Sequence, residues 1–233
     1  MLVVLLKSTP EPEKTVALAA RLCYSDNSIR ELEDNVAGIS YGKFLGKILK
    51  MGHHSVLEHA SFTFGIEGIS RAASHQLVRH RLASYSQQSQ RYVKIQEPEY
   101  VTPATIAANA DVKRRYAEAV AHAYKVYQEM LDADIPAEDA RFILPNAAET
   151  KIIVTMNARE LLHFFRLRCC ERAQWEIRDM ATRMLALVKV EAPFIFSDAG
   201  PACVGGACSE GKMTCGRPQE IREKFKGLVA PGS

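Results

Sequence analysis

The side chains best suited to chemistry lie in one polar stretch, RHRLASYSQQSQRY, at residues 79–92. Its fourteen positions hold four basic side chains and eight hydroxyl or amide groups, with almost nothing to bury. Such groups can hold phosphates and the polar edge of a base or a flavin. The same composition is typical of a helix C-terminus, where Arg and His favour the helix dipole, followed by a solvated loop. Composition alone leaves both interpretations open.

A helix from about residue 69 is predicted to carry the chain into this stretch. If it continues through residue 81, its wheel places Ile69, Ala73 and His80 on one side, with Gln76 beside them. Three consecutive helical residues point in different directions, so residues 79–81 would not share one target. This geometry favours a site where several polar or anionic ligands meet.

A second candidate is a basic residue on an apolar helix face in TMNARELLHFFRLRCC, residues 155–170. Asn157 as N-cap and Glu160 three residues later form a capping-box pattern, which predicts a helix start. Arg168 falls in the middle of the apolar face, which is formed by Leu161, Phe164 and Phe165. A buried guanidinium without a partner is costly. The arginine must therefore extend from the helix end, pair with a carboxylate, or face a ligand.

Arg159 and His163 form a second polar pair near the same helix start. They lie one turn apart on another face of the helix. A capped helix N-terminus with a basic residue beside it suits an anionic cofactor group, although many such helix starts bind nothing.

The three histidines of GHHSVLEH do not have the spacing of a helical zinc pair. His54 and His59 are five residues apart and His53 and His59 are six, whereas a zinc pair on a helix is spaced four apart. We expect no metal there, and instead ordinary hydrogen-bonding histidines around a helix start at Ser55.

The six cysteines do not resemble a disulfide framework in a chain of this length. Cys203, Cys208 and Cys215 lie in a loop-like tail, one ligand short of a structural zinc site. A fourth ligand could come from another chain, from Cys169 or from Cys170. Loose surface thiols and a metal or redox role therefore both stay open.

Hydrophobic patterning predicts a mixed set of strands and helices. In residues 60–67 the side chains of Phe62, Phe64 and Ile66 alternate with Thr63, Gly65 and Glu67, which indicates a strand with one packed face. No regular βαβ rhythm is present, so the α+β class is favoured. The other predicted strands are residues 2–6 (a buried strand), 91–95 and 148–156, and the predicted helices are residues 9–24 (Thr9 as cap, Pro10 first), 29–51, 69–81, 111–134, 158–169 and 173–191; periodicity stops at residue 197.

Composition excludes several classes of protein. The chain of 233 residues is 47% apolar and carries a net charge of +3, from 30 Lys and Arg against 27 Asp and Glu. This balance argues against a nucleic-acid coat or a polybasic membrane anchor. The N-terminal apolar run, LVVLL, is too short for a signal peptide or a membrane span. We therefore expect a cytoplasmic protein with no membrane or nucleic-acid partner.

Several motifs together resemble the flavin-dependent thymidylate synthases, also called the thymidylate synthase complementing protein family. The signature of that family, RHR-x7-S-x-R, is matched by residues 79–91. GHHSVLEHASFTF, RFILP and NARELLHFFRLRCCERAQWEIR resemble other segments of the family in the same order. The resemblance covers about residues 1–196, and leaves residues 197–233 as a Cys-, Gly- and Pro-containing tail of unknown role.

The resemblance implies a reductive methylation of dUMP to dTMP. Methylenetetrahydrofolate would supply the carbon, NADPH would reduce FAD, and the reduced flavin would supply the hydride. It also implies a largely antiparallel, mixed sheet packed with long helices, in a homotetramer whose active sites lie where subunits meet. No cysteine nucleophile is implied, so Ser89 is interpreted as a nucleotide ligand and the cysteines as bystanders.

Site residues are carried over from the family only where the motifs match. Arg168 matches the arginine aimed at the uracil ring, where a cation in apolar surroundings would stabilise the negative charge that develops as N3 ionises. Family members often have Glu where this chain has Gln87, which leaves that position polar but uncharged. The implied FAD contacts are Ser55, Arg79, His80, Arg81, Gln87, Asn157, Arg159 and His163, and the implied dUMP contacts are Gln76, Arg79, Gln87, Gln88, Ser89, Gln90, Arg91, Arg141 and Arg168.

Two rival functions are compatible with parts of the sequence. One is a cysteine-dependent transferase that uses Cys169 or Cys170, with the adjacent Arg168 lowering the pKa of the thiol. The other is a nucleic-acid-binding module that uses Arg79, Arg81, Arg91 and Arg168, for which the near-neutral charge balance is unfavourable.

Overall fold

The computed structural model describes residues 1–36 and 40–228 and contains a four-stranded antiparallel sheet in the order β1-β2-β4-β3. The strands are β1 Leu2–Ser8, β2 Ser61–Ser70, β3 Ala83–Gln87 and β4 Glu149–Asn157. This sheet, together with the many helices, confirms the α+β class.

The helices differ widely in length. The longest, α6, has 23 residues. The described residues form α1 Pro12–Leu22, α2 Ile29–Val36, α3 Tyr41–Lys50, α4 Arg71–Leu77, α5 Ala104–Ala107, α6 Ala110–Asp132, α7 Ala137–Ala140, α8 Ala158–Arg168, α9 Trp175–Glu191, α10 Ala202–Gly205 and α11 Pro218–Lys226, with short 3₁₀ turns at Ser55–His59, Arg141–Ile143 and Gly211–Met213. None of the helices in the described ranges is both long enough and apolar enough to cross a membrane.

The elements with clear periodicity are found where the sequence predicts them. In β2 the alternating Phe62, Phe64 and Ile66 are all buried. The predicted strand at residues 148–156 is β4, and the predicted helices at 158–169 and 173–191 are α8 and α9. The long helix α6 begins one residue before Asp111, because the side chain of Asn109 caps it by accepting from the backbone N–H of Val112.

The N-terminal elements differ from the prediction in two respects. Strand β1 is not buried, because its residues alternate between exposed and half-buried, with Leu2 and Leu6 exposed. Helix α1 starts at Pro12 rather than at Thr9 and Pro10. The Thr9 hydroxyl is unavailable as a cap because it accepts from the backbone N–H of Ser61 at 2.9 Å.

The predicted helix at residues 29–51 is divided into α2 and α3. Residues 37–39 of that prediction lie outside the described residues. Ser40, which precedes α3, has an extended backbone with φ −73° and ψ 95°, so a new helix begins at Tyr41.

The helix predicted for residues 69–81 is shorter than expected. Strand β2 continues to Ser70, whose hydroxyl caps α4 by accepting from the Ala73 N–H at 3.0 Å, and the helix ends at Leu77. The prediction that residues 79–81 lie on a helix is therefore wrong. The polar stretch instead contains strand β3.

Residues 91–95, RYVKI, are not a strand, because the chain turns there and the Val93 N–H donates to the Ser89 carbonyl at 3.0 Å. Beyond this turn, side chains of α6 contact the chain. The backbone N–H of Ile95 donates to the Tyr127 hydroxyl, and Gln128 donates to the Ile95 carbonyl. Tyr124 and Tyr116 donate to the carbonyls of Glu99 and Val101. Side chains of α6 thus satisfy several of these peptide groups, while the Glu99 carbonyl and the Val101 N–H also pair with the backbone of Glu149 and Ala147.

The described chain forms two compact units. The first comprises residues 1–2, 66–79 and 85–153, and its core includes Val120, Tyr124 and Ala148. The second comprises residues 3–65, 80–84 and the chain from 154 onward. In its core the rings of Phe62 and Phe165 both meet Phe196 edge-on, with centroids 5.5 and 6.0 Å apart.

Candidate active site

In the first unit, the end of α4 presents two of the predicted nucleotide ligands. Gln76 is half-buried in the last turn of the helix and Arg79 is exposed just beyond it. The Arg79 N–H donates to the Gln76 carbonyl at 3.4 Å, which closes the helix end. The positions of both side chains are therefore set by where the helix ends.

A cavity of about 230 Å³ lies beside the loop that follows β3. Three of the predicted dUMP ligands, Gln88, Ser89 and Gln90, line one part of it. Another part of the lining comes from Tyr124 of α6 and from the start of β4 at residues 149–151. Burial is the main cause that raises the pKa of Tyr124 to about 12, so the phenol stays protonated and acts as a donor.

Gln87 has its amide nitrogen directed at its own chain. It donates to the hydroxyl of Ser74 at 3.0 Å and to that of Thr150 at 3.1 Å. These bonds tie the end of β3 to α4 and β4, and so fix where the following loop begins.

Three arginines converge beside this loop. Arg91 and Arg141 meet at Glu138, whose carboxylate accepts from Arg91 Nε at 2.7 Å and whose backbone carbonyl accepts from Arg141 Nε at 3.0 Å. Arg71 donates to the Gln88 carbonyl at 3.5 Å. Burial lowers the pKa of Arg71, and repulsion by Arg141 lowers it further. Like charges held together in this way favour an anionic ligand.

In the second unit, His80 is a buried side chain that links two charged groups of α8. The relative exposure of His80 is 5%. Its Nδ1 lies 3.2 Å from Glu160 Oε1, and its Nε2 accepts from Arg168 Nε at 3.0 Å. The imidazole ring meets the ring of Phe164 of α8 edge-on, with the ring centroids 4.9 Å apart.

Local sequence explains why α8 presents these groups. Asn157 caps the helix by accepting from the Glu160 N–H at 2.9 Å, as the capping pattern predicts. Leu161, Phe164 and Phe165 are buried, which confirms the predicted apolar face. Arg168 is half-buried at the end of that face and donates to His80, and His80 contacts the Glu160 carboxyl group.

Burial dominates the titration of this cluster. Desolvation is the largest cause that lowers the pKa of His80 to about 4, and the positive charge of Arg168 and nearby His163 lower it further. Desolvation raises the pKa of Glu160 and lowers the pKa of Arg168. Near neutral pH the imidazole is therefore neutral.

A second cavity, of about 470 Å³, is lined by several predicted flavin ligands. Arg159 and His163 of α8 and its cap residue Asn157 form one part of it, and Arg159 pairs with Glu58. Leu82 adds an apolar surface. Two other predicted flavin ligands, Arg81 and Ser55, are exposed, and Ser55 begins the 3₁₀ turn at Ser55–His59.

The cysteines are all free thiols. Cys169 is buried, which raises the pKa of its thiol to about 12, and burial also raises the pKa of Cys170. Across residues 1–36 and 40–228, no group of three or more His, Cys, Asp or Glu side chains is arranged to hold a metal ion.

The sequence patterns did not identify three residues of these clusters. Glu160 was explained by the capping pattern, which gave no reason to look for a second role for its carboxylate. Arg71 and Glu138 lie in short helical segments without a motif of their own. Charge pattern alone does not reveal them, because their partners are 17 and 47 residues away.

Comparisons with known proteins identify the family of this chain. Residues 4–194 match the family model described as thymidylate synthase complementing protein. A flavin-dependent thymidylate synthase of Geobacter sulfurreducens is 59% identical over 230 residues, covering 98% of this chain and 99% of the relative. Enzymes of the same name from Clostridium tetani and Thermococcus onnurineus are 47% and 46% identical, covering 95% and 97% of this chain and 95% and 96% of those relatives.

A solved structure shares the fold. The UMP/dUMP methylase PolB from Streptomyces cacaoi, bound with 5-Br dUMP, superposes with a TM-score of 0.73 at 24% identity, covering 84% of this chain and 92% of that one. The matched family model spans most of the chain, and the relatives match nearly its whole length. The chain therefore belongs to the thymidylate synthase complementing protein family, whose enzymes are the flavin-dependent thymidylate synthases, a class of methyltransferase.

Proposed function

We propose that this protein catalyses the reductive methylation of dUMP to dTMP, with methylenetetrahydrofolate as carbon donor and NADPH as reductant. The observation that supports this most directly is Arg168, a half-buried cation at the end of an apolar helix face, held in place through His80. Family membership and the names of the relatives support the same reaction. We assign the reaction to residues 1–196 and leave the tail, residues 197–233, outside it.

The groups lining the larger cavity fit FAD. They include a guanidinium, an imidazole and a carboxamide, from Arg159, His163 and Asn157, beside the capped N-terminus of α8. These are donors for the phosphates, hydroxyls and ring carbonyls of a flavin nucleotide. Leu82 offers an apolar surface for the ring. FAD held there would supply the redox chemistry of the reaction, the relay of a hydride from NADPH to the transferred one-carbon unit.

Arg79 and Arg81 also belong to the proposed set of FAD ligands. Both are exposed and follow α4 in the chain, on either side of the buried His80. We expect Arg81→Ala to weaken retention of FAD because it removes a cation that the proposal places against the cofactor. The remaining proposed FAD ligands are Ser55, Gln87 and His80; because Glu160 and Arg168 engage both ring nitrogens of His80, its contact with FAD would be made by the ring carbons or the backbone.

The cluster of arginines in the first unit fits the phosphate of dUMP. Burial lowers the pKa of Arg71 and the charge of Arg141 lowers it further, and a phosphate dianion would relieve the repulsion between the two arginines. Arg91 is held at the same place by Glu138. The other proposed dUMP ligands are Gln76, Arg79, Gln87, Gln88, Ser89 and Gln90, of which the last three line the adjoining cavity.

Arg168 would act on the uracil ring rather than on the phosphate. Because the guanidinium is half-buried, water screens its charge less than it would on the surface. A cation held in this way stabilises the negative charge that develops on the ring as N3 loses its proton. This is a transition-state interaction, so its loss should reduce turnover more than binding.

The cysteine-dependent transferase is disfavoured by the environment of its nucleophile. The pKa of Cys169 is raised to about 12, mainly by burial, and the pKa of Cys170 is raised as well. A thiol needs to be a thiolate to attack. We therefore propose that no enzyme cysteine acts as nucleophile.

The nucleic-acid module is disfavoured by how its arginines are engaged. Arg91 pairs with Glu138, and Arg168 is half-buried against His80. Arg168 is therefore not part of an exposed basic stripe that could follow a phosphate backbone.

We further propose that the protein is a cytoplasmic homotetramer with active sites at subunit interfaces. Leu82, Tyr92 and Phe142 are 72%, 80% and 84% exposed, and each directly follows a proposed site arginine in the chain. Large apolar side chains beside a site are typical of surfaces that a partner covers. Free thiols in all six cysteines fit a reducing compartment.

The first experiment is a visible absorption spectrum of the purified protein with FAD, before and after NADPH under nitrogen, with and without dUMP. We expect flavin bands that bleach with NADPH and bleach faster when dUMP is present. Tritium release from dUMP labelled at C5 then measures turnover. A protein that retains no flavin, even with dUMP present, would remove the cofactor assignment.

Arg168→Ala tests the role of the proposed catalytic residue. We expect it to retain FAD and to lower the rate of tritium release about 10²- to 10³-fold, the usual effect of removing one group that stabilises developing charge. Arg166→Ala is the matched control, since Arg166 is an exposed arginine on the same helix. Parent-like turnover of Arg168→Ala would remove its proposed role.

A further inference from the structure

We propose that Glu160 is a positioning residue, which holds His80 with its proton on Nδ1 and thereby orients the guanidinium of Arg168. The inference rests on the proposed function, because it takes Arg168 as the group that acts on the uracil ring. It assigns a role in the reaction to a carboxylate that sequence motifs explain only as part of a helix cap.

The tautomer follows from which groups can donate. Arg168 Nε carries a hydrogen and cannot accept, so His80 Nε2, 3.0 Å away, must be the acceptor. A neutral imidazole carries its single proton on the other nitrogen, so Nδ1 is protonated. Nδ1 then donates to Glu160 Oε1, 3.2 Å away. A proton on Nδ1 satisfies both contacts, whereas the opposite tautomer would set Nε2–H against the Nε–H of Arg168.

Orientation of the arginine follows from where it is held. A bond at Nε fixes the last torsions of the side chain and so sets the plane of the guanidinium and the direction of its Nη end. Phe164 meets the His80 ring edge-on at 4.9 Å and limits how far the ring can tilt. Loss of the Glu160 contact would let the imidazole rotate or change tautomer, and Arg168 would lose its acceptor.

The helix cap does not need this carboxylate. The bond that caps α8 joins the side-chain oxygen of Asn157 to the backbone N–H of Glu160, at 2.9 Å, and any residue except proline at position 160 could donate it. Glu160 is only 6% exposed, so its carboxylate is largely removed from water. Burial of a carboxylate is unfavourable unless it is hydrogen-bonded to a partner, and the partner here is His80.

Titration supports the same arrangement. The pKa of His80 is lowered to about 4, first by burial and then by the charges of Arg168 and His163. The groups that face the ring are thus Glu160, Arg168 and His163, with Phe164 at its edge. A neutral His80 is what the hydrogen bonds require.

The tautomer can be measured without any activity. We would label the histidines with ¹⁵N and record long-range ¹H–¹⁵N spectra across pH, and identify His80 from the signal lost in His80→Gln. The expected result is a neutral ring with its proton on Nδ1 at pH 7. A parent spectrum with the proton on Nε2, or a ring that is charged at that pH, would overturn the inference.

Two substitutions at position 160 separate positioning from bulk structure. Glu160→Gln keeps an oxygen that can accept from Nδ1–H, so the tautomer should persist and kcat should stay within about threefold of the parent. Glu160→Leu offers no acceptor, so the Nδ1-protonated form should no longer dominate and kcat should fall about tenfold or more, with KM for dUMP little changed.

Glu13→Gln is the matched control. Glu13 is also a buried carboxylate in the first turn of a helix with a raised pKa, but it accepts from the backbone N–H groups of Phe194 and Ile195. It should leave both the His80 spectrum and the split between kcat and KM unchanged. If Glu160→Leu keeps the parent spectrum and the parent kcat, Glu160 is not a positioning residue.

Failure of the proposed function can be distinguished from failure of the positioning role by a different set of results. A parent protein with no dUMP-dependent turnover would overturn the function, and the spectrum of His80 would then decide on the positioning by itself. Parent-like turnover in Arg168→Ala would overturn the inference as well, since there would be no catalytic arginine to position.

Discussion

The imidazole of His80 lies between a carboxylate and a guanidinium on the same helix, Glu160 and Arg168. A direct ion pair would neutralise much of the charge of Arg168. A neutral ring between them orients the guanidinium while keeping the nearest negative charge farther away. The arrangement therefore suits an arginine whose charge has to interact with a ligand.

The lowered pKa of His80 gives stability a defined dependence on pH. Its pKa is 6.5 in an unfolded chain and about 4 in the fold, so the unfolded state binds more protons between these values. Stability should therefore rise with pH from about 4 to 6.5 and then level off, with a contribution on the order of 3 kcal/mol from this group. Glu160 opposes this trend above pH 4.5, because its pKa is raised.

The measurement is the free energy of unfolding in urea at a series of pH values, for the parent and for His80→Gln. The difference between the two proteins should change across this pH window. His122→Gln, at an exposed histidine of α6, serves as control and should run parallel to the parent. A parallel curve for His80→Gln would contradict the assignment.

Sequence reasoning identified Arg168 but not its partners, for a physical reason. The wheel of α8 shows that a cation sits on an apolar face, because that depends only on neighbours one or two turns away. His80 contacts residues 80 and 88 positions further along the chain. Such contacts depend on tertiary structure, so the sequence left open whether Arg168 extends from the helix end, pairs with a carboxylate or faces a ligand, and it did not indicate a histidine as acceptor.

At the scale of elements, predictions succeeded where the pattern of burial was local. Phe62, Phe64 and Ile66 in β2 and the apolar face of α8 are examples. They failed where a side chain from elsewhere decided the backbone. Thr9 does not cap α1 because its hydroxyl accepts from Ser61, and the chain at residues 91–95 turns instead of extending, with the Ile95 N–H bonded to Tyr127 of α6.

The C-terminal helix α11 was not predicted, and it gives a test at this scale. Phe225 is fully buried, and its carbonyl accepts from Lys189 Nζ of α9 at 2.6 Å. We expect Phe225→Ala to lower the free energy of unfolding by about 3–5 kcal/mol, the usual effect of truncating a buried phenylalanine. Urea denaturation measures this.

Lys226→Ala, at the exposed neighbour of Phe225, is the control and should change the free energy of unfolding little. Equal effects of the two substitutions would show that α11 is not packed as described.

At the scale of the whole molecule, the tetramer proposal predicts that exposed apolar side chains beside the site are covered in solution. Light scattering after size-exclusion chromatography should give about four times the chain mass of 25.9 kDa. Phe142→Glu should shift the protein to smaller species because it places a charge in the interface. Tyr24→Glu, at a residue 71% exposed and away from any proposed site arginine in the sequence, is the control. A Phe142→Glu protein that remains tetrameric would exclude Phe142 from the interface.

The exposed side chains that follow Arg81, Arg91 and Arg141 also have a kinetic consequence. If a neighbouring subunit covers them, the complete active site exists only in the assembled form, and assembly obeys mass action. Specific activity would then be constant at high enzyme concentration and fall on dilution below the dissociation constant of the interface. Recovery of activity after reconcentration would show a lag set by the rate at which subunits meet.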